Sequence, residues 1–320
     1  MPIGISPLVD YSFKKLFGSQ PDIAILIHFL NAVLEGQAKI VSARIVNPAQ
    51  GKAFAADKLS ILDVLAIDQQ ERTFLIEMQI SLPAGMAQRL TYCTSVSYAG
   101  QLREGDDYVK LRPSISICVL AGAMFSVAPK LHLDFRLREK SHPLTLTEDI
   151  QIHILQLRYL QVTAETVYHA SGTEQWAWFL YNADRLALED IPRLFPDPEF
   201  VEAAGILAMI AQTQEELIAY HARLKAQRDE SGRILQAKLD GREEGREEGR
   251  QEALELAEAM AAEREARGEA RGELRGTITL LQWLLKEPVW TEQEFAVCNE
   301  ATLRELADAL RNRLAASGIR

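Results

Sequence analysis

Two apolar runs, KLSILDVLAID at 58–68 and TFLIEMQI at 73–80, stand either side of the short polar segment Gln69–Arg72. No other feature of the chain restricts its fold so tightly. Two apolar runs bounded by a turn predict a β-hairpin. Because both runs are apolar on both faces, the hairpin belongs inside a sheet and not at its wet surface. Each run is broken in its interior by one acid, Asp63 in the first and Glu77 in the second. A strand buried on both faces is a costly place for an ionised carboxylate. The midpoint between the two acids falls at residue 70, inside the turn, so an antiparallel hairpin sets them on neighbouring strands at one height. Like charges placed so need something positive beside them. A divalent cation held by hard oxygens is one solution, and a salt bridge to Lys58 or Arg89 is the other. Gln79 lies two residues after Glu77, so it shares that sheet face and offers its amide to a water or a substrate oxygen.

Around the hairpin, Asp22–Glu35 reads as a helix, with Ile23, Leu26, Ile27, Leu30 and Leu34 at three- and four-residue spacing and Gly36 as its stop. Residues 39–47 alternate like a strand before Pro48. Residues 86–104 form a second helix ending before Gly105, and 114–121 (SISICVLA) a further buried strand. Residues 131–138 and 150–157 read as strands, and 173–184, with Trp176, Trp178 and Phe179, as a helix. The order α-β-β-β-α-β predicts an α/β fold, a mixed sheet flanked by helices.

The tail differs. From about Glu199 the chain is helical with few breaks, and glycines recur at 241, 245 and 249 and again at 268, 272 and 276. Six glycines each cost about 1 kcal/mol against alanine in a helix. They mark either a close-packing stripe or a solvated spacer, and the spacer is the simpler reading. Pro288 ends this region, and 291–314 reads as one or two short helices capped by Thr291 and Thr302. The expected division is therefore 1–195, 196–287 and 288–320, with a homo-oligomer formed through the helical tail.

With 35 Lys+Arg against 45 Asp+Glu, the formal charge of −10 speaks against a nucleic-acid binder if it is spread evenly. It is not: residues 1–120 hold 11 basic and 11 acidic residues, so the whole excess lies later. Three scattered cysteines without C-x-x-C fit a reduced cytoplasm. The six histidines lack zinc spacing. There is no secretory h-region, no bilayer-length apolar stretch, no phosphate loop and no G-x-S-x-G elbow. The expectation is a cytoplasmic protein without a membrane partner.

Asp63 followed by Glu77-Met78-Gln79 resembles the D…E-x-K signature of PD-(D/E)XK nucleases, with Gln in the Lys position. The opening Asp10-x-x-Phe13-Lys14-x-x-Phe17 resembles the start of the Rpn group of that superfamily, the recombination-promoting nucleases and transposases. Leu30-Asn31, Arg89 and Tyr92, Gln101-Leu102, Gly105-x-x-Tyr108 and Pro113 follow in the order of that group. The resemblance covers roughly residues 7–185, and the Glu/Arg/Gly tail matches it in style only.

The resemblance implies a restriction-endonuclease-like fold with a long helical tail, and metal-dependent hydrolysis of DNA phosphodiesters with Mg²⁺ or Mn²⁺. It makes Asp63 and Glu77 metal ligands, the Met78 main-chain carbonyl a third, and Gln79 the group beside the attacking water. A neutral amide lacks the positive charge a lysine offers there, which implies slower chemistry or greater reliance on the metal. Lys14, Lys58 and Arg89 are candidates for flanking phosphates. Tyr92, three residues after Arg89, is a candidate for the same surface. Asp10 is either an accessory acid or a helix N-cap. With no helix-turn-helix or zinc finger, contacts should be mainly to phosphates and specificity low. The competing reading is a catalytically weak nuclease-fold protein that binds DNA or protein through its helical tail.

Overall fold

In the computed structural model the structure describes residues 1–46 and 63–316. The hairpin forms as its pattern predicts. Strand β2 (Val64–Asp68) pairs antiparallel with β3 (Thr73–Gln79), in the register Val64 opposite Ile76. The expected first half of the hairpin's leading strand, 58–62, lies outside the described residues. The turn is locked by a buried ion pair: the Asp68 carboxylate accepts from the main-chain N–H of Gln70 and Arg72 and, at 2.7 Å, from Arg72 Nε. Glu71 takes a left-handed φ of 59° to close it.

Four more strands complete a six-stranded mixed sheet: β1 (Ala43–Ile45), β4 (Ser114–Leu120), β5 (His132–Arg138) and β6 (Thr145–Gln156), in the order β1-β2-β3-β4-β6-β5. β4 runs parallel to both neighbours and every one of its residues is buried, which its unbroken run SISICVL anticipates. β1 covers three residues where nine were expected. Residues 39–42 are held by side chains instead: Asn31 brackets the Ile40 main chain through both amide atoms, and Gln69 accepts from Val41 and Ser42.

The two sheet faces differ. Val64, Ala66, Phe74, Ile76, Met78, Ile115, Ile117 and Val119 point into the main core. Helices α1 (Asp10–Phe17), α2 (Ile23–Val33), α4 (Gly172–Asn182) and α6 (Pro198–Gln212) close that core around Trp176, which lies against Phe17, Phe29 and Phe200. A Ser171–Glu174 capping box starts α4. The opposite face packs on α3 (Met86–Ala99), through Leu65 and Leu75 against Cys93 and through Cys118 and Ile154 against Met86 and Leu90. α3 begins at Gly85, whose φ of 76° only glycine takes without strain. It ends at Ala99, short of the expected residue 104. The Gln101 side chain then takes over, donating to the Arg112 carbonyl and accepting from the Arg112 N–H. The short helix α5 (Ile191–Leu194) leads into α6.

The chain packs as two compact units, Met1–Gln236 and Ala237–Arg320. In the first, Phe200, Leu207, Ile210 and Tyr220 belong to the main core, so its packing continues past residue 195. One 71-residue helix, α7 (Gln214–Leu284), contains all six glycines of the repeats. A Cβ added at any of them meets nothing within 4 Å, as a solvated helix requires. The second unit has its own small core, in which the end of α7 meets α8 (Glu292–Ala296) and α9 (Glu300–Ala316) through Ile278, Leu281, Phe295, Leu303 and Leu310. Thr291 caps α8 in a capping box, as predicted. Thr302 does not cap α9; it lies inside the helix, and Asn299 accepts from its N–H.

Candidate active site

Two clusters meet at the C-terminal end of β3. The first is built on Glu77. Its side chain is 1% exposed and lies on the α3 face of the sheet with Gln79, whose amide Nε2 donates to Glu77 Oε1 at 2.6 Å. The Arg89 guanidinium, from the first turn of α3, pairs with the same oxygen. The second oxygen, Oε2, is buried and has no hydrogen-bond partner. Burial pushes the Glu77 carboxyl above its ordinary range, and Arg89 and Gln79 only moderate the shift. The neighbouring thiols of Cys93 and Cys118 are pushed up by burial and then by Glu77, so they stay protonated and inert.

The second cluster is built on Asp63. This residue immediately precedes β2, whose pairing with β3 begins at Val64 opposite Ile76. Asp63 Oδ2 accepts from the Met78 main-chain N–H at 2.8 Å. Lys14 Nζ, one face of α1 away, lies 2.7 Å from Asp10 Oδ1 and 3.4 Å from Asp63 Oδ1. The contact with Asp10 is an ion pair without the alignment of a hydrogen bond. Burial, then the hydrogen bond with Asp10, raises the Asp63 carboxyl to about 7. Burial also acts to raise Asp10, but its hydrogen bond with Asp63 and the Lys14 ammonium outweigh that and hold it below the usual carboxylate range.

Main-chain alternation completes the picture. The Gln79 carbonyl accepts from the Ala121 N–H, toward β4. Met78, one residue earlier, therefore turns both its N–H and its carbonyl toward the β2 side, where Asp63 stands.

The site residues expected from the sequence distribute as follows. Asp63, Glu77, Met78 and Gln79 come together at one strand end, with Asp10, Lys14 and Arg89 directly on them. Asp10 does not cap α1; Val9 holds the N-cap position, and the Asp10 carboxylate reaches Lys14 and Asp63 instead. Lys14 and Arg89 are engaged by the acids themselves. Tyr92 is 44% exposed on α3. Lys58 lies outside the described residues. One polar group passed unnoticed in the sequence: His132 Nε2 and His153 Nδ1 lie 2.9 Å apart across β5 and β6, near Asp134. Their spacing of 21 residues carries no local signal; only the strand pairing reveals it.

The donor set fits a hard divalent cation. Two buried carboxylates stand at one end of β3, Glu77 with an unpartnered oxygen and Asp63 held on the Met78 N–H, and the Met78 carbonyl is turned to the Asp63 side. Among the described residues no three His, Cys, Asp or Glu side chains converge as a complete metal cage. An ion here would therefore rest on two carboxylates, the carbonyl and water, the sparse protein coordination usual for Mg²⁺.

A mixed six-stranded sheet between helices, with two buried acids at the end of its central hairpin, is a restriction-endonuclease-like α/β fold. The chain belongs to the PD-(D/E)XK nuclease family transposases, whose model matches residues 7–237. The matched span ends within one residue of the first packing unit. Comparison with curated proteins and with solved structures returns no match.

Proposed function

We propose that the protein is a Mg²⁺- or Mn²⁺-dependent endonuclease that hydrolyses DNA phosphodiesters with low sequence specificity, in the recombination or movement of genetic elements. The observation that carries this reading is the buried, unpartnered Oε2 of Glu77, with the Asp63 carboxylate held on the N–H of the next residue, Met78. Two desolvated carboxylates in that relation cost stability unless a cation compensates them. Asp63, Glu77 and the Met78 carbonyl would hold the ion, which supplies Lewis-acid chemistry at the phosphoryl group and the attacking water. Gln79, hydrogen-bonded to Glu77, orients a water beside the scissile phosphate through its amide. Arg89 and Lys14 balance the acids in the free protein and turn to the flanking phosphates of a bound strand. Three free thiols agree with action in the cytoplasm. No helix among the described residues is long and apolar enough to cross a membrane.

A second reading has one observation in its favour. Each acid already has a protein cation, Arg89 on Glu77 and Lys14 on Asp63, as a nuclease fold retained for binding alone would show. Supercoiled plasmid separates the two. With Mg²⁺ or Mn²⁺ the wild type should nick it, and Asp63→Ala and Glu77→Ala should not. Equal nicking by all three would refute the site, and DNA binding without nicking by any of them would favour the binding module.

A further inference from the structure

β5 is the last strand of the sheet, and among the described residues no strand covers its outer edge. The Gln156 N–H donates to the Leu131 carbonyl, so Leu131, Leu133 and Phe135 turn their main chain toward β6. His132, Asp134 and Arg136 therefore present unpaired N–H and C=O groups outward. An edge of this kind is a template for another strand unless something blunts it.

The side chains of β5 read His132-Leu133-Asp134-Phe135-Arg136-Leu137-Arg138. On one face lie Leu133 and Phe135, before the pairing with β6 shifts register at Arg136–Leu137; Phe135 is 42% exposed, and its ring rests 5.3 Å from that of Phe125. On the other face lie Asp134 and Arg136, paired to each other at 2.8 Å, with Arg136 also paired to Glu148 of β6. Charges on an edge strand usually deter pairing. Here their order is self-complementary. In an antiparallel pair about a two-fold axis through Phe135, Asp134 of each copy faces Arg136 of the other, and Phe135 faces Phe135. Centring the axis on Asp134 sets acid against acid, and centring it on Arg136 sets guanidinium against guanidinium. The main chain agrees with the first choice. Phe135 at the axis is a non-hydrogen-bonded pair, with its side chains at closest approach, and the outward groups of Asp134 and Arg136 form the flanking hydrogen bonds.

We propose that β5 is a homodimer interface: two copies of this chain pair edge to edge through β5, antiparallel and centred on Phe135, joining the two sheets into one. A two-fold interface of this kind is isologous, so the one patch serves both subunits. The interface does not depend on the chemistry proposed above, and it differs from association through the helical tail.

Cross-linking of the full chain tests it. Cys93 and Cys118 are buried, so Cys298→Ser removes the partly exposed thiol among the described residues. In that background Phe135→Cys should give an interchain disulfide under mild oxidation, because the axis brings the two positions together. Val127→Cys, at a site 91% exposed but outside the register, should not. In sedimentation, Asp134→Arg and Arg136→Asp should each weaken dimerisation about tenfold or more, since each turns two attractive pairs repulsive. Combining them should restore affinity to within about threefold, because the pairs are only exchanged. A wild-type chain that stays monomeric throughout the micromolar range would overturn the proposal. So would a dimer that Phe135→Cys does not cross-link, or a double exchange that restores nothing. Should a charge variant fail to fold by circular dichroism, the cross-linking result alone decides.

Discussion

Asp63 and Glu77 set stability against chemistry. Both carboxyls are held above their ordinary range by burial, and Asp63 is also crowded by Asp10. Replacing Asp63 with asparagine keeps an acceptor for the Met78 N–H and removes one crowded carboxyl. Asp63→Asn should therefore stabilise the protein in EDTA by about 1–2 kcal/mol, read as a higher thermal midpoint. Plasmid nicking should fall at least a hundredfold, roughly, since a proposed ligand is lost. A lower midpoint with nicking intact would contradict both halves. His153 sets a different sensitivity. Burial pushes its imidazole down to about 4, against the pull of Asp134 and with the help of His132. Between its ordinary value of 6.5 and about 4, the unfolded chain binds a proton that the folded chain refuses. Stability contributed here is complete above pH 6.5 and is lost as pH falls through that window, on the order of 2–3 kcal/mol. His153→Gln should flatten the fall in denaturant midpoint over this range. An unchanged slope would show that other groups carry it.

At the scale of elements, patterns with one possible reading came through and patterns with several did not. The hairpin and β4 were legible because unbroken apolar runs bounded by turns have one economical placement, inside a sheet. Helix α2 was legible as a helix, but not in its orientation. It is apolar nearly all round, and the structure fully buries Ile25 and Phe29 where the periodicity favoured Ile23 and Ile27. Helix α3 continued in pattern to 104 and ended at Ala99, because the nonlocal hydrogen bonds of Gln101 with Arg112 outweigh local propensity. The glycines of α7 give a prediction of their own. With nothing within 4 Å of an added Cβ, Gly241→Ala, Gly245→Ala and Gly249→Ala meet no steric cost. Each should favour the helix by about 1 kcal/mol, raising ellipticity at 222 nm. Impaired self-association in these variants would reveal the stripe as a helix-packing surface after all.

At the scale of the whole molecule the chain is two units with different electrostatic character. Residues 237–320 hold 13 Lys+Arg against 18 Asp+Glu, half of the formal charge of −10 in about a quarter of the length. Phosphates are repelled by such a segment over roughly a Debye length, about 10 Å at 0.1 M salt. A chain ending at Gln236 keeps the main core and the candidate site and should bind DNA more tightly than the full chain at low salt. The difference should vanish as salt rises. Equal or weaker binding at low salt would show that the second unit does not repel DNA.

The amino-acid order by itself determined the hairpin, the nearness of Asp63 and Glu77 at one end of it, the buried strand β4 and the helical tail. These follow from local periodicity and from the arithmetic of a tight turn, both carried by residues close in sequence. Tertiary structure alone decided that Lys14 and Asp10 stand on Asp63, that Arg89 claims one oxygen of Glu77 and leaves the other bare, and that His132 meets His153. It alone left β5 at the edge, where a palindromic charge order acquires meaning. Those relations join residues far apart along the chain, and their partners are set by which sheet face and which strand neighbour the folded backbone assigns.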